Sequence, residues 1–270
     1  MFNTDRAATT TVVVLSVAFG VFFIIPFAGL VDRALKEPNT WDLLNTTQVR
    51  QALTLSLWTS TVTVVLALVF GTPIAYLLAR ARFPGRSIVD AFIDLPIVLP
   101  PTVAGVALLT AFGRRGLVGE PIESWTGFTF GFRTTAVIMA QLLVAAPFYI
   151  RAAKSGFEAV DAQVERVAYT LGASRLRTFF RITVPQAWPA LLAGIVLCWA
   201  RSMGELGATL IFAGNFEGKT QTMPLAVVSA FEGSSLGVAG AIALSLILLV
   251  VALVVLVLFR LVAGRAAALR

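Results

Sequence analysis

The sequence predicts an all-α integral membrane protein with six transmembrane helices, and its composition and long apolar runs support this prediction. Of 270 residues, 58% are hydrophobic and only 13% are charged, with a mean hydropathy of +0.88. A soluble domain contains about 25% charged residues. Because a helix needs about 20 apolar residues to cross a bilayer, six segments are candidate spans: Thr9–Val31, Leu53–Ala79, Ile88–Phe112, Thr134–Ile150, Ala187–Ala213 and Val238–Val262.

Two of these segments depart from the usual pattern. The apolar run of the first is longer than the roughly 7–15 residues of a signal-peptide core. Only Arg6 supplies a basic start, so we expect a retained helix. The fourth, Thr134–Ile150, is short for a span, and we expect it to extend into the neighbouring loops.

The distribution of basic residues predicts the orientation. An even number of spans puts both termini on one side. That side collects 13 Lys and Arg residues and the other collects 7. Because basic loops resist translocation, we expect a multi-pass protein of the cytoplasmic membrane with both termini in the cytoplasm.

The largest loop on the basic side, Arg151–Gln186, is patterned rather than plain. Its apolar residues recur at the spacing of one helical face: Phe157, Val160, Val164, Val167, Ala168 and Leu171. This pattern predicts an amphipathic helix over Glu158–Leu171 that lies outside the bilayer. Gly172 follows it, and glycine commonly ends a helix.

This loop resembles the EAA loop of ABC importer permeases, on the run Glu165–Ser174 followed by Ile182–Pro185. Arg166 stands where that family usually has Glu, and Val167 replaces the first Ala. Glu165 lies one residue before the usual glutamate. The positions that match are Ala168, Gly172, Ile182 and Pro185.

The resemblance extends over about residues 52–259. Leu95–Gly105, Phe112–Gly119 and Arg201–Thr209 are similar to permeases for tetrahedral oxyanions, and Phe212–Ala226 is most similar to their molybdate branch. The family implies that residues 1–270 form a single transmembrane domain that translocates molybdate or tungstate. Sulfate or thiosulfate is the alternative cargo, and an ATP-independent carrier or channel is a further alternative.

The same resemblance implies an assembly. Two permease subunits would form the pore, two cytoplasmic ATPase subunits would bind ATP beneath it, and an extracytoplasmic binding protein would deliver the anion. The permease itself would then be no enzyme and would need no cofactor or metal. The implied ATPase-coupling residues are Glu158, Asp161, Glu165, Arg166, Ala168, Gly172, Ala173, Ile182 and Pro185. On residue chemistry alone, a helix lying on lipid headgroups remains the alternative.

Ionisable and helix-breaking residues within the predicted spans mark a candidate translocation path or gate. Arg201 and Glu205 are four residues apart in the fifth span, on one helical face. Charged side chains at this depth face protein or water, and prolines and glycines permit broken helices or tight packing. The candidates are Pro96, Pro100, Pro101, Arg201, Gly204, Glu205 and Gly207. Packing without substrate contact remains an alternative for each.

The residue inventory excludes several other functions. The chain has no histidine and one cysteine, so it lacks the commonest general base and any cysteine cluster for a metal. Ala213–Thr220 resembles a phosphate-binding loop, but it follows a predicted span rather than a strand. The net charge of +7 is explained by membrane topology, and we expect no nucleic-acid binding.

Overall fold

The computed structural model describes residues 6–37, 40–43 and 45–268, which form helices and loops without a strand among them. The elements are α1 Arg6–Lys36, α2 Thr40–Leu43, α3 Thr47–Arg80, α4 Arg86–Val98, α5 Pro101–Phe112, α6 Gly119–Thr126, α7 Thr134–Ala159, α8 Ala162–Thr170, α9 Arg175–Thr178, a π-helical turn Phe179–Thr183, α10 Val184–Met203, α11 Gly207–Ala213, α12 Met223–Phe231 and α13 Gly237–Ala268.

Five stretches of the described chain are long and apolar enough to cross a membrane, and a bent pair makes a sixth. The pair is α4 and α5, whose axes differ by 116°. The all-α membrane fold is therefore confirmed, but the third predicted span is not one helix. The bend follows from Pro100 and Pro101, since a residue before proline is pushed out of helical geometry. Leu99 is accordingly extended, at φ −68° and ψ 139°.

The fourth span extends beyond its apolar run, as expected, whereas the fifth differs from its predicted bounds. Helix α7 continues past Ile150 to Ala159, because its charged C-terminal residues find partners instead of terminating the helix. The fifth span is continuous from Arg175 to Met203. The prediction of a single helix over Ala187–Ala213 is therefore wrong: the chain breaks after Met203, and α11 is a separate short helix.

Helix α7 is the centre of the molecule, packed between α3 and α10. Small residues permit these close contacts, as in other membrane helix bundles. An added Cβ at Gly194 would lie 2.9 Å from Ala152 Cβ, and one at Gly71 would lie 2.9 Å from Ile150 Cγ1. Hydrogen bonds between spans supplement this packing, such as the 3.1 Å bond from Thr63 Oγ1 to Gln141 Oε1.

Two further clusters complete the described fold. Helices α5 and α11 pack on each other and on the first half of α7, through residues such as Leu108, Val137 and Phe212. Helices α12 and α13 pack together beside the start of α3. Helix α1 contacts α13 and otherwise exposes apolar side chains. Such a surface suits contact with lipid or another protein.

The α5–α11 contact depends on Gly105. A Cβ there would lie 2.9 Å from Ala208 Cα and 3.0 Å from its carbonyl oxygen, so backbone would have to move. We expect Gly105→Ala to destabilise the protein by about 1–3 kcal/mol, the usual cost of overpacking. The apparent melting temperature in detergent should fall. Gly20→Ala is the control, since nothing lies within 4 Å of a Cβ at Gly20. Equal melting temperatures for both variants would contradict the prediction.

Candidate coupling and translocation sites

Helix α8 begins later than the sequence predicted. Asp161 is its N-cap, and Asp161 Oδ1 accepts a 2.8 Å hydrogen bond from the backbone N–H of Gln163. This capping ends α7 and starts a new helix, so the predicted helix over Glu158–Leu171 is wrong at its start. Glu158 belongs to α7. At the other end, Gly172 has φ +83°, the left-handed geometry that favours glycine after a helix.

Glu165 anchors α8 to the membrane helices. Its side chain is 7% exposed, and Oε1 lies 3.0 Å from Arg80 Nη2 and accepts a 2.6 Å hydrogen bond from Thr183 Oγ1. The same Arg80 nitrogen donates to the carbonyl oxygen of Val160 at 2.9 Å. Glu165 therefore joins α8 to α3 and to the π-helical turn, while its neighbour Arg166 is exposed.

Some of the remaining predicted coupling residues are packed inside the molecule at this end, and others lie on the exposed side of α8. Ala168 is buried and its carbonyl oxygen accepts from the N–H of Ala173 at 3.0 Å. Ile182 lies in the π-helical turn and Pro185 in the first turn of α10, at the same end of the molecule. The exposed side of α8 and its two capping residues carry both charged and apolar side chains, and no described residue covers them. These residues are Asp161, Val164, Arg166, Val167 and Leu171. We call these five residues the α8 surface.

A row of ion pairs joins α4 to the end of α7, and the sequence interpretation missed two of its acidic members, Asp90 and Asp94. Asp90 lies 2.6 Å from Lys154 Nζ and 3.2 Å from Arg151 Nη1. Asp94 pairs with Arg151, and Arg86 lies 3.3 Å from Glu158. The detectable signal was the spacing of Arg86, Asp90 and Asp94, four residues apart on one helical face. No residue of α4 is fully buried, so these pairs supply much of its attachment.

We expect reversal of one of these charges to detach α4. Asp90→Lys places a third positive charge beside Lys154 and Arg151, and should lower the apparent melting temperature in detergent. The double variant Asp90→Lys/Lys154→Asp should recover at least half of that loss, since it restores opposite charges. The control is Asp32→Lys, because Asp32 pairs with Lys36 at an exposed site, where ion pairs contribute about 0–1 kcal/mol. Absence of recovery in the double variant would contradict the pairing.

The break after α10 is organised by Glu205. Its Oε1 accepts a 2.8 Å hydrogen bond from the backbone N–H of Ala208, which caps α11. Its Oε2 lies 2.7 Å from Arg201 Nη1, an ion-pair contact without hydrogen-bond alignment. Glu205 is 1% exposed, so its carboxylate is fully occupied by protein. The side chain of Arg201 remains 27% exposed.

This break lies deep in the bundle. Gly194 on α10 contacts Tyr149 and Ala152 of the antiparallel α7. Arg201 is two turns further along, about 10 Å, and is therefore level with the region of Val144, near the middle of α7. The predicted position of Arg201 at mid-depth agrees with this packing, although Glu205 lies beyond the end of the spanning helix.

Two short helices begin side by side at the break. A Cβ at Gly207 would lie 3.0 Å from Pro101 Cβ and 3.2 Å from the Thr102 nitrogen, so the N-termini of α5 and α11 meet. Helix N-termini carry partial positive charge, and Arg201 adds a full charge. The structure thus brings together Pro100, Pro101, Arg201, Gly204, Glu205 and Gly207, whereas Pro96 lies inside α4. The carboxylate of Glu205 offsets the charge of Arg201, so the net positive potential at the junction comes from the two helix N-termini. The exposed part of Arg201 can still contact an anion.

Comparison with known proteins places the chain in a family. Residues 71–267 match the family described as the inner membrane component of binding-protein-dependent transport systems. The chain belongs to this family. The resemblance of the sequence to ABC importer permeases is thereby confirmed, and the chain is a membrane transport component.

Several relatives of this transport component cover most of its length. It is 41% identical to the molybdenum transport system permease protein ModB of Escherichia coli K12 over 76% of this chain and 89% of ModB. It is 40% identical to ModB of Mycobacterium tuberculosis over 87% of each chain. It is 41% identical to the molybdate/tungstate transport system permease protein WtpB of Thermococcus kodakarensis, over 74% of this chain and 77% of WtpB.

Solved structures share the fold at lower identity. A bacterial ABC transporter that imports the acidic polysaccharide alginate matches with a TM-score of 0.74 and 18% identity, over 96% of this chain and 95% of that one. The inward-facing methionine transporter MetNI matches with a TM-score of 0.62 and 15% identity, over 86% and 99%. At these identities the likeness establishes the fold.

Proposed function

We propose that this chain is the transmembrane permease subunit of an ATP-driven importer for molybdate or tungstate. The observation that carries the proposal is the identity of about 40% to permeases named for these anions, over 74–87% of the chain. Both cargoes are tetrahedral dianions of nearly equal size. The positive groups at the junction of α5, α10 and α11 support an anionic cargo.

The proposed assembly contains two copies of the chain, two cytoplasmic ATPase subunits and an extracytoplasmic oxyanion-binding protein. The family description names a binding-protein-dependent system, and a solved relative is an alginate transporter in complex with its periplasmic protein. ATP would be bound by the partner subunit, so the permease would have no catalytic residue. Both chain ends would lie in the cytoplasm, at the same face as α8.

In this proposal the α8 surface is the ATPase contact. Its exposed Val167 and Leu171 suit an apolar groove on a protein better than water, and Asp161 suits an anionic lipid surface poorly. Closure of the ATPases on ATP would displace α8. Glu165 would transmit that displacement to α3 and to the π-helical turn. This turn is continuous with α10, which carries Arg201 in its last turn.

At the other end of α10, the same displacement would open or close the path. The N-termini of α5 and α11 and the Arg201 guanidinium would supply positive potential for the anion. Glu205 would hold Arg201 in place and cap α11. Rigid-body shifts of packed helices are an established kind of switching transition, and a broken helix is the natural place for such a shift.

The deciding experiment is uptake into vesicles that contain the permease reconstituted with its ATPase and the binding protein. We expect uptake of labelled molybdate to require ATP and to be inhibited by unlabelled tungstate but not by equimolar sulfate. Stronger inhibition by sulfate would assign the chain to sulfate import. Uptake that proceeds at the same rate without ATP would exclude an ATP-driven importer in favour of a carrier or channel.

A further inference from the structure

A cavity of about 950 Å³ lies between α3 and the segment formed by α8, α9 and the π-helical turn. One wall follows α3 from Leu68 to Ala81, and the facing wall includes Leu176 and Phe180, which are 72% and 65% exposed. Leu77, on the α3 wall, is also exposed. The cavity therefore opens to the outside of the bundle rather than being closed by the described residues.

The dimensions of the cavity match one lipid chain. Its α3 wall spans a little over three helical turns, about 18 Å at the rise of an α-helix. One leaflet of the hydrocarbon core is about 15 Å deep. The wall is apolar at Leu68 and Val69, deep in the span, and carries charge only where α3 ends at Arg80. This polarity is that of a phospholipid, with its chains inside the bilayer and its phosphate at the edge.

The charged end of the cavity is net positive. Arg80, Arg175 and Glu165 line it, which gives two positive charges and one negative. Glu165 is occupied by Arg80 and Thr183, whereas Arg80 Nε is buried without a hydrogen-bond partner in the structure. Arg175 is exposed, and it makes no ion pair with any residue that the structure describes. Basic pockets between membrane helices commonly bind anionic lipid headgroups.

We propose that this cavity is a binding site for an anionic phospholipid of the leaflet at which α3 ends. The phosphate would lie at the end of the cavity that Arg80 and Arg175 line, and one acyl chain would lie along α3 against Phe180. A lipid in this position would bridge α3 to α8 and α9, and would stabilise their contact. The proposal does not depend on the transported substrate or on the ATPase.

The test uses the full-length chain purified in a mild detergent and native mass spectrometry with added phosphatidylglycerol or phosphatidylcholine. We expect phosphatidylglycerol to be retained in preference. Arg175→Gln should lower the affinity for phosphatidylglycerol about fivefold, the effect of one basic residue near a lipid headgroup. Arg177→Gln is the control, because Arg177 lies on the same helix but does not line the cavity.

A second pair of variants tests the apolar part of the cavity. Val69→Trp fills it and should reduce retention of phosphatidylglycerol, whereas Val65→Trp, one turn away and outside the cavity, should not. Equal retention of the two lipids, or no difference between the two tryptophan variants, would overturn the proposal. A photo-cross-linking residue at position 77 should label lipid in membranes. Labelling of a second copy of the chain instead would assign the cavity to a protein contact and overturn it.

Discussion

Glu165→Ala is expected to reduce ATP-driven uptake by more than tenfold. The carboxylate joins α8 to Arg80 and Thr183, and its removal leaves a mostly buried arginine and a buried hydroxyl without their partner. Breaking a buried ion pair costs about 3–5 kcal/mol. Since the Arg80 side chain is 19% exposed, we expect about 2 kcal/mol here. That cost falls on the attachment of α8, so ATPase binding should weaken while the spans stay folded.

Matched variants distinguish loss of the Glu165 contacts from the loss of any negative charge in this region. Glu158→Gln removes a carboxylate at the end of α7 from a half-exposed pair, and should retain most of the uptake. Arg80→Met/Glu165→Met replaces the pair with apolar side chains and should recover much of the stability lost in Glu165→Ala. The measurements are uptake in reconstituted vesicles and copurification with the ATPase. If Glu165→Ala matched Glu158→Gln in both, Glu165 would not be the anchor.

Glu205→Ala is expected to have the larger effect, at least a hundredfold loss of uptake. The change uncaps α11 and leaves Arg201 unpaired near the middle of the bundle. An unpaired arginine at the centre of a membrane helix costs about 2.5–3.5 kcal/mol on insertion scales, and loss of a helix cap adds about 1 kcal/mol. The junction of α5, α10 and α11 should therefore lose its geometry.

Two further variants distinguish the cap from the charge. Glu205→Gln keeps an oxygen that can accept from the Ala208 N–H, but it leaves Arg201 without a counter-charge. Arg201→Gln/Glu205→Gln removes both charges and should restore the melting temperature without restoring uptake, if Arg201 attracts the anion. Full uptake by the double variant would mean that the pair serves packing alone. Uptake at the level of the unmodified protein in Glu205→Ala would contradict the proposed role of the junction.

The helical spans could be predicted from the sequence because hydropathy and length decide them locally. The same reasoning was incomplete at the bend. Pro100 and Pro101 indicate an irregular span, but the angle of 116° also depends on the packing of α5 against α11. Similarly, Gly204 permits a break, but the Glu205 cap that makes the break depends on a backbone N–H three residues later.

Charged residues show the other limit of local reasoning. The charges of α7 at Arg151, Lys154 and Glu158 indicated a loop, yet they lie on a helix because Arg86, Asp90 and Asp94 face them from α4. Such pairing is a tertiary property. At α8 the pattern correctly predicted that a helix is present and that it ends before Gly172. It could not show that Glu165 points inward while Val167 points outward, because one helical face carries both polar and apolar residues.

Coupling to a cytoplasmic ATPase requires α8 and α9 to face the cytoplasm, where the ATPase can reach them. Cysteine accessibility tests this directly, since the native Cys198 is buried and an introduced cysteine reports alone. Arg177→Cys samples the α9 side, and Trp125→Cys, on the exposed α6 at the opposite end, is its control. We predict that a membrane-impermeant maleimide labels position 125 in spheroplasts and labels position 177 only in inverted vesicles. Labelling of position 177 in sealed spheroplasts would contradict the account.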